Sequence, residues 1–342
     1  MSEPFVSIVM PVFNASANLR RAIFSVFNQT FYDFELILVD DHSTDQSLKI
    51  CRELEKKDPR VKVIALEKNS GASAARNAAL DVIGGRYVTF VDADDWLEDN
   101  VLARAARAIK SEPSIDVLKY GCSEDYVDRD GRVRYRKICR AEDRAFRDRA
   151  SMARAAAELE TIPLFGYIWN GFYRAALVKK YSLRFDEKCR VNEDFFFNAE
   201  ILRRAKVLRT IDCSGYHYEK RGSGSLSSTA ANYSYELNRR KIAELIGLFD
   251  GEVPSDVEEK IFWMYARFCY AALVDGEKLS VIRADPLFKK FLSVGFRDIN
   301  FKQRVLTGLL RKKIFYPILF AAVKVIGGIK RLAPTLFARL KK

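Results

Sequence analysis

Residues 86 to 96 read RYVTFVDADDW, an apolar run that predicts a buried strand and that ends in three carboxylates, those of Asp92, Asp94 and Asp95. Three apolar runs precede it along the chain: FVSIVMPV at 5–12, FELILV at 34–39 and VKVIAL at 61–66. The four runs end 25 to 27 residues apart, and helix-like segments fill the intervals, which is the spacing of βα units. Because such continuous runs of Val, Ile, Leu and Phe are expected of strands covered on both faces, the sequence predicts an α/β fold with a mostly parallel sheet flanked by helices.

The segments between and after these runs carry helical or turn signals. Leu19, Ile23 and Val26 recur at helical spacing, and Gly71 opens the Ala-rich segment ASAARNAALDVI. Residues 124–137 are polar and predict an exposed hairpin or loop. Beyond residue 224 the pattern is mostly helical, so we expect a helical C-terminal region after the sheet domain.

Composition excludes several classes of protein. At 342 residues the chain is long enough for roughly two domains. Its six cysteines share no metal-ligand spacing, which favours reduced thiols in a cytosolic protein, and the N-terminal residues lack the features of a secretion signal. Since only two histidines are present, His42 and His217, His-rich zinc sites are excluded and any metal must rest mainly on carboxylates.

The net charge of +13 is concentrated at one end of the chain. Residues 301–342 contain eleven Lys or Arg and no Asp or Glu, so the charge does not indicate a nucleic-acid-binding domain. The longest uncharged stretch of this tail, residues 314–323, is ten residues long, whereas a membrane span needs about 20. We therefore expect the tail to lie on an anionic membrane surface, on the cytoplasmic face; the alternative is a solvated pair of basic helices that packs on the protein or forms a homodimer.

Carboxylates follow two of the predicted strands. Asp40 and Asp41 end the second run, and Asp92, Asp94 and Asp95 end the fourth. Ligands of open parallel sheets bind beyond the carboxyl ends of the strands, where converging carboxylates repel one another unless a cation lies between them. A hard divalent ion held by one or two carboxylates usually takes phosphate oxygens as further ligands. The sequence therefore predicts Mn²⁺ or Mg²⁺ together with a diphosphate.

An extended segment over 92–94 would direct the carboxylates of Asp92 and Asp94 to one side, with Ala93 turned away. The alternative is that these acids are turn residues or favour the start of the next helix. Neither a GxxxxGK[ST] motif nor a dinucleotide-binding fingerprint occurs in the chain, which disfavours Walker-type ATPases and Rossmann dehydrogenases.

These stretches resemble the inverting family 2 glycosyltransferases with the GT-A fold. The stretches that match are SIVMPVFNAS at 7–16, ELILVDDHSTD at 35–45, NSGASAARNAAL at 69–80 and FVDADDW at 90–96. Weaker matches, IWNGFYR at 168–174, VNEDFFFNAEIL at 191–202 and GYHYEKRGSGSLS at 215–227, look like the bacterial polysaccharide-building members of that family. The resemblance implies a GT-A catalytic domain over 1–222, with a nucleotide-sugar-binding half (1–110) and an acceptor half (111–222), before a helical region (223–300) and the tail (301–342).

The resemblance also implies which residues bind the nucleotide sugar. They are Pro11, Phe13, Asn14, Asp41, Gly71, Arg76, Asp92 and Ala93. Pro11, Phe13 and Asn14 would line the nucleoside pocket, and Asp41 would bond the base. Gly71 and Arg76 would lie near the base and phosphates. Asp92 would contact the ribose or the metal, and Asp94 would bind the metal directly.

Two positions depart from the family pattern. Phe13 stands where Tyr is usual, which keeps a stacking face, and His42 stands where Gly is common, which matters if the backbone there needs a positive φ.

The acceptor half offers candidate catalytic groups with less specific signals. By resemblance, Asp194 or its neighbour Glu193 is the base, whereas the alternative is that Asn192 caps a helix whose first turn holds both acids. Trp169 would stack on a sugar or lie in the core. His217 would be a further metal ligand or, with Arg221, would cover the diphosphate; a Tyr-His-Tyr strand packed in a core explains the same residues.

The function implied is an inverting, metal-dependent glycosyltransferase that moves a sugar from a nucleotide sugar, expected to be a UDP-sugar, to a cell-surface glycan or a lipid-linked acceptor. A polyprenyl-phosphate glycosyltransferase is the alternative among enzymes. A non-catalytic membrane or nucleic-acid binding protein on the same fold is the alternative outside them. The presence of Asp41, Asp92, Asp94 and Asp194 together favours an enzyme.

Overall fold

The computed structural model describes residues 3–128, 130–221, 234–297 and 301–312, together with residues 318, 321–322 and 325–326. It divides into two compact units, residues 1–221 and residues 222–342. All of the candidate site residues named above belong to the first unit, which is described first.

The first unit alternates strands and helices in the order that the sequence predicts. Its strands are β1 (Val6–Val12), β2 (Phe34–Asp40), β3 (Val61–Ala65), β4 (Tyr87–Phe90), β5 (Trp96–Leu97), β6 (Val117–Tyr120), β7 (Cys122–Val127), β8 (Val133–Cys139), β9 (Arg144–Phe146), β10 (Gly171–Arg174), β11 (Leu208–Ile211) and β12 (Tyr216–Arg221). Its helices are α1 (Leu19–Phe27), α2 (Ser47–Glu55), α3 (Ala72–Leu80), α4 (Val101–Ser111), α5 (Arg149–Thr161), α6 (Ala175–Lys180) and α7 (Glu193–Leu202). The four predicted strands are confirmed as β1 to β4, and the polar stretch 124–137 forms most of the β7–β8 hairpin.

Eight strands form one sheet in the order β3-β2-β1-β4-β10-β6-β11-β9. The four strands β1 to β4 are parallel, as is the pair β6–β11, whereas β10 runs antiparallel to both of its neighbours. Every residue of β2 and β4 is buried, as expected of parallel strands that are covered on both faces. The predicted fold class, a mostly parallel sheet flanked by helices and followed by a helical region, is confirmed.

The antiparallel strand β10 decides where the acceptor half meets the donor half. Phe172 pairs with Thr89 and Arg174 with Tyr87, so the residues that precede β10 lie at the sheet edge from which the chain leaves β4. A second sheet, in the order β5-β12-β7-β8, places β12 against the short strand that follows Asp95. The edge beyond β4 is therefore approached by two segments distant in sequence, 167–170 and β12.

The second unit is helical over its described residues. Its helices are α8 (Tyr235–Ile246), α9 (Ser255–Val274), α10 (Leu279–Ala284), α11 (Pro286–Ser293) and α12 (Phe301–Arg311). Leu310 of α12 is fully buried, and the guanidinium of Arg311 lies over the rings of Phe291 and Phe296. The first twelve residues of the predicted tail thus include a packed helix, and most of the stretch 314–323 lies outside the described residues.

Candidate active site

The ends of β1 and β2 lie side by side, and their following loops are joined by hydrogen bonds. In the register of the two strands Val12 pairs with Asp40. The side-chain oxygen of Asn14 accepts a hydrogen bond of 2.8 Å from the backbone N–H of Thr44, and the N–H of Asn14 donates to the hydroxyl of Ser43. These bonds hold the loop after β1 to the loop after β2, so the backbone at this edge is fixed without a ligand.

This pair of loops presents an aromatic side chain to solvent. Phe13 is 48% exposed although it directly follows a buried strand, and Pro11 beside it is only partly buried. His42 has φ +60°, so the position where the family commonly has Gly does require the left-handed region. A flat apolar face at the carboxyl ends of parallel strands suits stacking of a nucleobase.

Asp41 fixes the start of α3. Its two carboxylate oxygens accept hydrogen bonds of 2.7 Å each from the backbone N–H groups of Ser70 and Gly71. Gly71 has φ +91°, a conformation that a side chain would strain, and it is the residue that precedes the helix. The resemblance implies that Asp41 bonds the nucleobase; the bonds that it makes in this structure organise the loop that carries Gly71 and α3.

The residues of DADD form a turn, and the predicted extended alternation over 92–94 is wrong. The N–H of Asp95 donates to the carbonyl of Asp92 at 3.1 Å, which closes the turn. The side chain of Asp92 is 27% exposed, Asp94 is exposed and Ala93 is buried. Two carboxylates of this turn are thus accessible to a ligand, and the reason is the turn rather than the pleat of a strand.

Asp95, in contrast, is fully buried and held by β12. Its carboxylate accepts a hydrogen bond of 2.8 Å from the hydroxyl of Tyr216 and one of 2.9 Å from the N–H of Glu219. Burial, with a further contribution from the negative charges of Asp94 and Asp92, raises the pKa of Asp95 well above its ordinary value. The carboxylates of Asp92, Asp94 and Asp95 lie within four residues and concentrate negative charge at the turn, a condition that a bound cation would relieve.

The carboxylates present fit a divalent cation shared with a ligand. Asp92 and Asp94 supply the oxygen donors that Mg²⁺ and Mn²⁺ prefer. Within the part of the chain that the structure describes, no group of three or more His, Cys, Asp and Glu side chains is arranged to hold a metal by itself. A site with one or two protein carboxylates leaves most positions to phosphate oxygens and water, as in sites that bind a metal together with a diphosphate.

Arg76 of α3 joins the DADD turn to the start of α7. Its guanidinium lies 3.1 Å from a carboxylate oxygen of Asp92, 3.2 Å from one of Glu193 and 2.9 Å from one of Asp194. Arg76 is only 4% exposed, and burial by itself would lower the pKa of its guanidinium, but the three negative charges outweigh that effect and raise this pKa. The resemblance implies that Arg76 lies near the base and phosphates. In the structure its guanidinium contacts three carboxylates that come from two distant parts of the chain.

Asp194 lies at this junction with an altered acidity. Its carboxylate bonds Arg76 and accepts a 3.3 Å hydrogen bond from the N–H of Ile168, in the segment that precedes β10. Burial raises the pKa of Asp194 to about 7; the positive charge of Arg76 opposes this effect, and the charges of Glu193 and Asp92 add to it. A carboxylate that titrates near neutrality and lies beside the DADD turn is suited to general base catalysis.

The capping alternative for this segment is confirmed in one part only: Glu193 and Asp194 both lie in the first turn of α7, but the side chain of Asn192 does not cap the helix. Asn192 precedes α7 with φ +63° and makes no side-chain cap bond, and the carboxylate of Asp194 bonds Arg76 and Ile168 instead of an amide of its own helix.

The predicted contact of Trp169 with a sugar is corrected by its packing. Trp169 is 2% exposed, and its ring stacks on that of Tyr167 at 4.4 Å and on that of Tyr216 at 4.1 Å. Two rings that stack on one indole at these distances must occupy its opposite faces, which leaves neither face for a sugar. The alternative, a core residue, is the one that the structure shows.

His217 is likewise held within the protein. It is 1% exposed, its Nδ1 lies 2.8 Å from Asp125 and its Nε2 lies 3.3 Å from Glu98, and its ring stacks on that of Trp96. Because both ring nitrogens contact carboxylates, neither is directed at a metal on the DADD turn, and the packed-strand alternative accounts for His217. Arg221 ends β12, where it pairs with Val127, and its side chain lies outside the described residues.

Two residues that support the site were missed by the sequence analysis. Tyr216 contacts Asp95 and also accepts a 3.1 Å hydrogen bond from the N–H of Asp92. Lys119 is buried, and its ammonium donates to the carbonyl of Tyr167 and to the side chain of Asn170, on either side of Ile168. Burial lowers the pKa of Lys119 to about 7. The signal available in the sequence for the second residue was a lysine within the short apolar stretch VLKY at 117–120, which forms β6.

Comparisons with known proteins show which proteins the chain resembles. Residues 7–159 match the model of "Glycosyl transferase family 2". The chain is 32% identical over 225 residues to glycosyltransferase GlyA of Streptococcus pneumoniae, a match that covers 65% of this chain and 31% of GlyA. It is 30% identical over 217 residues to the uncharacterized glycosyltransferase EpsJ of Bacillus subtilis, covering 64% of this chain and 61% of EpsJ. The chain therefore spans less than two thirds of the length of these curated relatives.

A solved structure shares the fold over nearly the whole chain. Staphylococcus aureus TarS 1–349 in complex with UDP superposes with a TM-score of 0.60 at 22% identity, over 96% of this chain and 91% of that one. Residues 7–159 are therefore similar to glycosyl transferase family 2, and the fold shared with TarS extends over nearly the whole chain.

Proposed function

We propose that this protein is an inverting, metal-dependent glycosyltransferase that transfers a sugar from a UDP-sugar to a hydroxyl of a glycan or lipid-linked acceptor. The observation that carries the proposal is the position of Asp194, a carboxylate with a pKa of about 7 that shares the guanidinium of Arg76 with Asp92 of the DADD turn. This arrangement puts a candidate base next to a candidate diphosphate site. A single displacement at a sugar carbon requires both.

The donor would bind across the ends of β1, β2 and β4. The exposed ring of Phe13 supplies a stacking face for the base, and Asp41 and Gly71 shape the loop beside it. TarS, which shares the fold, was solved with UDP, and this supports a uridine nucleotide as the first donor to test. Asp92 and Asp94 are the residues that would hold Mn²⁺ or Mg²⁺, and such an ion neutralises charge on a departing diphosphate.

The acceptor hydroxyl would lose its proton to Asp194. Because burial keeps the pKa of this carboxyl near 7, its ionised form is present at neutral pH and is a stronger base than an ordinary aspartate. The bonds from Arg76 and from the N–H of Ile168 leave the carboxylate in one orientation. Attack from the side of the base, opposite the leaving diphosphate, inverts the configuration of the sugar carbon.

The acceptor and the cellular location are proposed from the basic tail. No helix in the part of the chain that the structure describes combines the length and the apolar character needed to cross a bilayer. The eleven basic residues of the tail support docking on an anionic membrane, where a lipid-linked acceptor would be found.

Release of a nucleoside diphosphate tests the proposed activity. The purified protein is incubated with a panel of UDP-, GDP- and CDP-sugars, with Mn²⁺, with Mg²⁺ and with chelator, and the liberated nucleoside diphosphate is measured. We expect release from at least one UDP-sugar, faster with metal than with chelator. A folded protein that releases no nucleoside diphosphate from any donor in any of these conditions would refute the proposal.

A further inference from the structure

We propose that Arg76 is a positioning residue that holds the carboxylates of Asp194 and Asp92 side by side, so that the base and the donor site are aligned with each other. This inference rests on the proposed function. It assigns to Arg76 a role through other residues, in place of a contact with the nucleotide.

The first support is that the guanidinium is already committed to protein carboxylates. One terminal nitrogen lies within hydrogen-bond distance of both Glu193 and Asp194, and the other lies within that distance of Asp92. Arg76 is 4% exposed, and its guanidinium also lies 5.4 Å from the ring centre of Phe185. A side chain enclosed in this way has little surface left for a nucleotide.

The second support is that α3 is itself fixed to both halves of the site. At its start, the N–H of Gly71 is bound by Asp41, at the end of β2. One residue after Arg76, the amide of Asn77 accepts from the N–H of Phe185 at 2.8 Å and donates to the carbonyl of the same residue at 3.0 Å. The helix therefore connects a donor-side strand to the segment that leads into α7.

The third support is the planar shape of the guanidinium, whose nitrogens form a fork of hydrogen-bond donors. Three carboxylates near one another repel, and a planar guanidinium can bond acceptors on two sides at fixed angles, whereas a lysine ammonium acts as a point charge. Removing the positive charge would leave three carboxylates, whose side chains are 16 to 27% exposed, without this counter-ion, which is destabilising. Arg76→Lys is thus the informative variant because it keeps the charge and removes the fork.

A double-mutant cycle on kcat tests the inference. Wild type, Arg76→Lys, Asp194→Asn and the double variant are compared with saturating donor and metal, with thermal unfolding as a check on the fold. We expect Arg76→Lys to lower kcat about 10- to 100-fold and to change the KM for the donor less than about fivefold. In the Asp194→Asn background the same change should lower kcat less than about threefold, because the residue through which Arg76 acts is already neutral.

A matched control and the contrary outcomes make the result decisive. Arg60→Lys changes another arginine that bonds a carboxylate with two nitrogens, that of Asp58, away from the site, and should leave kcat unchanged. An Arg76→Lys variant with a raised KM and normal kcat would show a direct nucleotide contact and overturn the inference. A loss of kcat in the double variant equal to the product of the two single losses would also overturn the inference, because it would show that the two residues act independently. Wild-type turnover is measured first: its absence would refute the proposed function and this inference with it, whereas wild-type activity with a multiplicative cycle would refute this inference alone.

Discussion

The hydroxyl of Tyr216 donates a 2.8 Å hydrogen bond to the buried carboxylate of Asp95, and it accepts one from the backbone N–H of Asp92. One phenolic oxygen thus holds both ends of the DADD turn. The guanidinium of Arg21 adds a bond to the carbonyl of Asp94 and an ion pair with Glu219 on β12. The turn that presents the candidate metal ligands is therefore shaped by a strand that lies more than 100 residues later in the chain.

Replacing Tyr216 by Phe removes that oxygen and keeps the stacking on Trp169. We expect the free energy of unfolding to fall by about 1 to 3 kcal/mol, because the buried carboxylate of Asp95 and the N–H of Asp92 each lose a partner. Metal-dependent affinity for the donor should fall about tenfold, which corresponds to about 1.4 kcal/mol. Denaturant unfolding and calorimetric titration measure the two effects. Tyr32→Phe, at an exposed position, is the control, and equal donor affinity in Tyr216→Phe and wild type would show that the hydroxyl does not shape the site.

Replacing Asp194 by Asn tests the base. The amide keeps the size of the side chain and can still accept from the N–H of Ile168, but it takes no proton. We expect kcat to fall about 10² to 10⁴ fold while donor affinity stays nearly unchanged. Single-turnover kinetics with acceptor, together with equilibrium donor binding, separate these quantities. Near-normal turnover by Asp194→Asn would mean that another group is the base.

The acidity of Asp194 predicts the pH dependence of transfer. A base acts only when it is ionised, and burial raises the pKa of this carboxyl to about 7. The rate should therefore be constant above that pH and should fall about tenfold for each unit below it. Initial rates from pH 5 to 9, with metal held saturating, measure the profile. The fall in rate below pH 7 should be absent from the residual activity of Asp194→Asn. If the residual activity still falls below pH 7, the group that titrates is not Asp194.

Replacing Asp94 by Ala tests the metal. Since Asp94 is exposed on the turn, its loss should leave the fold intact and abolish metal-dependent transfer. Asp99→Ala, a few residues further on and also exposed, should retain activity. Metal titrations of donor turnover give the measurement. Full activity of Asp94→Ala, or of the wild type with excess chelator, would remove the metal from the mechanism.

The basic tail predicts binding to anionic vesicles. Each basic group near the surface contributes on the order of 1 kcal/mol, weakened by salt. Because α12 packs into the second unit through Leu310 and Arg311, the deletion should begin after Lys312 rather than after Asn300. Full-length protein should sediment with anionic vesicles at low salt, and the shortened protein should stay in solution while it still turns over donor. Equal sedimentation of the two forms would place the membrane contact elsewhere.

The sequence by itself determined the first four strands and the edge of the sheet that carries the site. The apolar runs that became β1 to β4 are local patterns, and the period of the side chains is enough to define them. The acids after β2 and β4 follow directly, because parallel strands end at the same edge. The positive φ at His42 fulfils the condition that the resemblance raised for that position, where Gly is common.

Only the tertiary structure decided which side chains meet. Arg76 bonds Asp194, 118 positions away, and Asp194 also bonds the N–H of Ile168, in the segment that the antiparallel strand β10 brings to the edge where Asp92 lies. The same packing encloses Trp169 between two tyrosines and places Tyr216 against Asp95. Strand order and the direction of β10 are set by burial of the whole sheet, and no local pattern in the sequence records them.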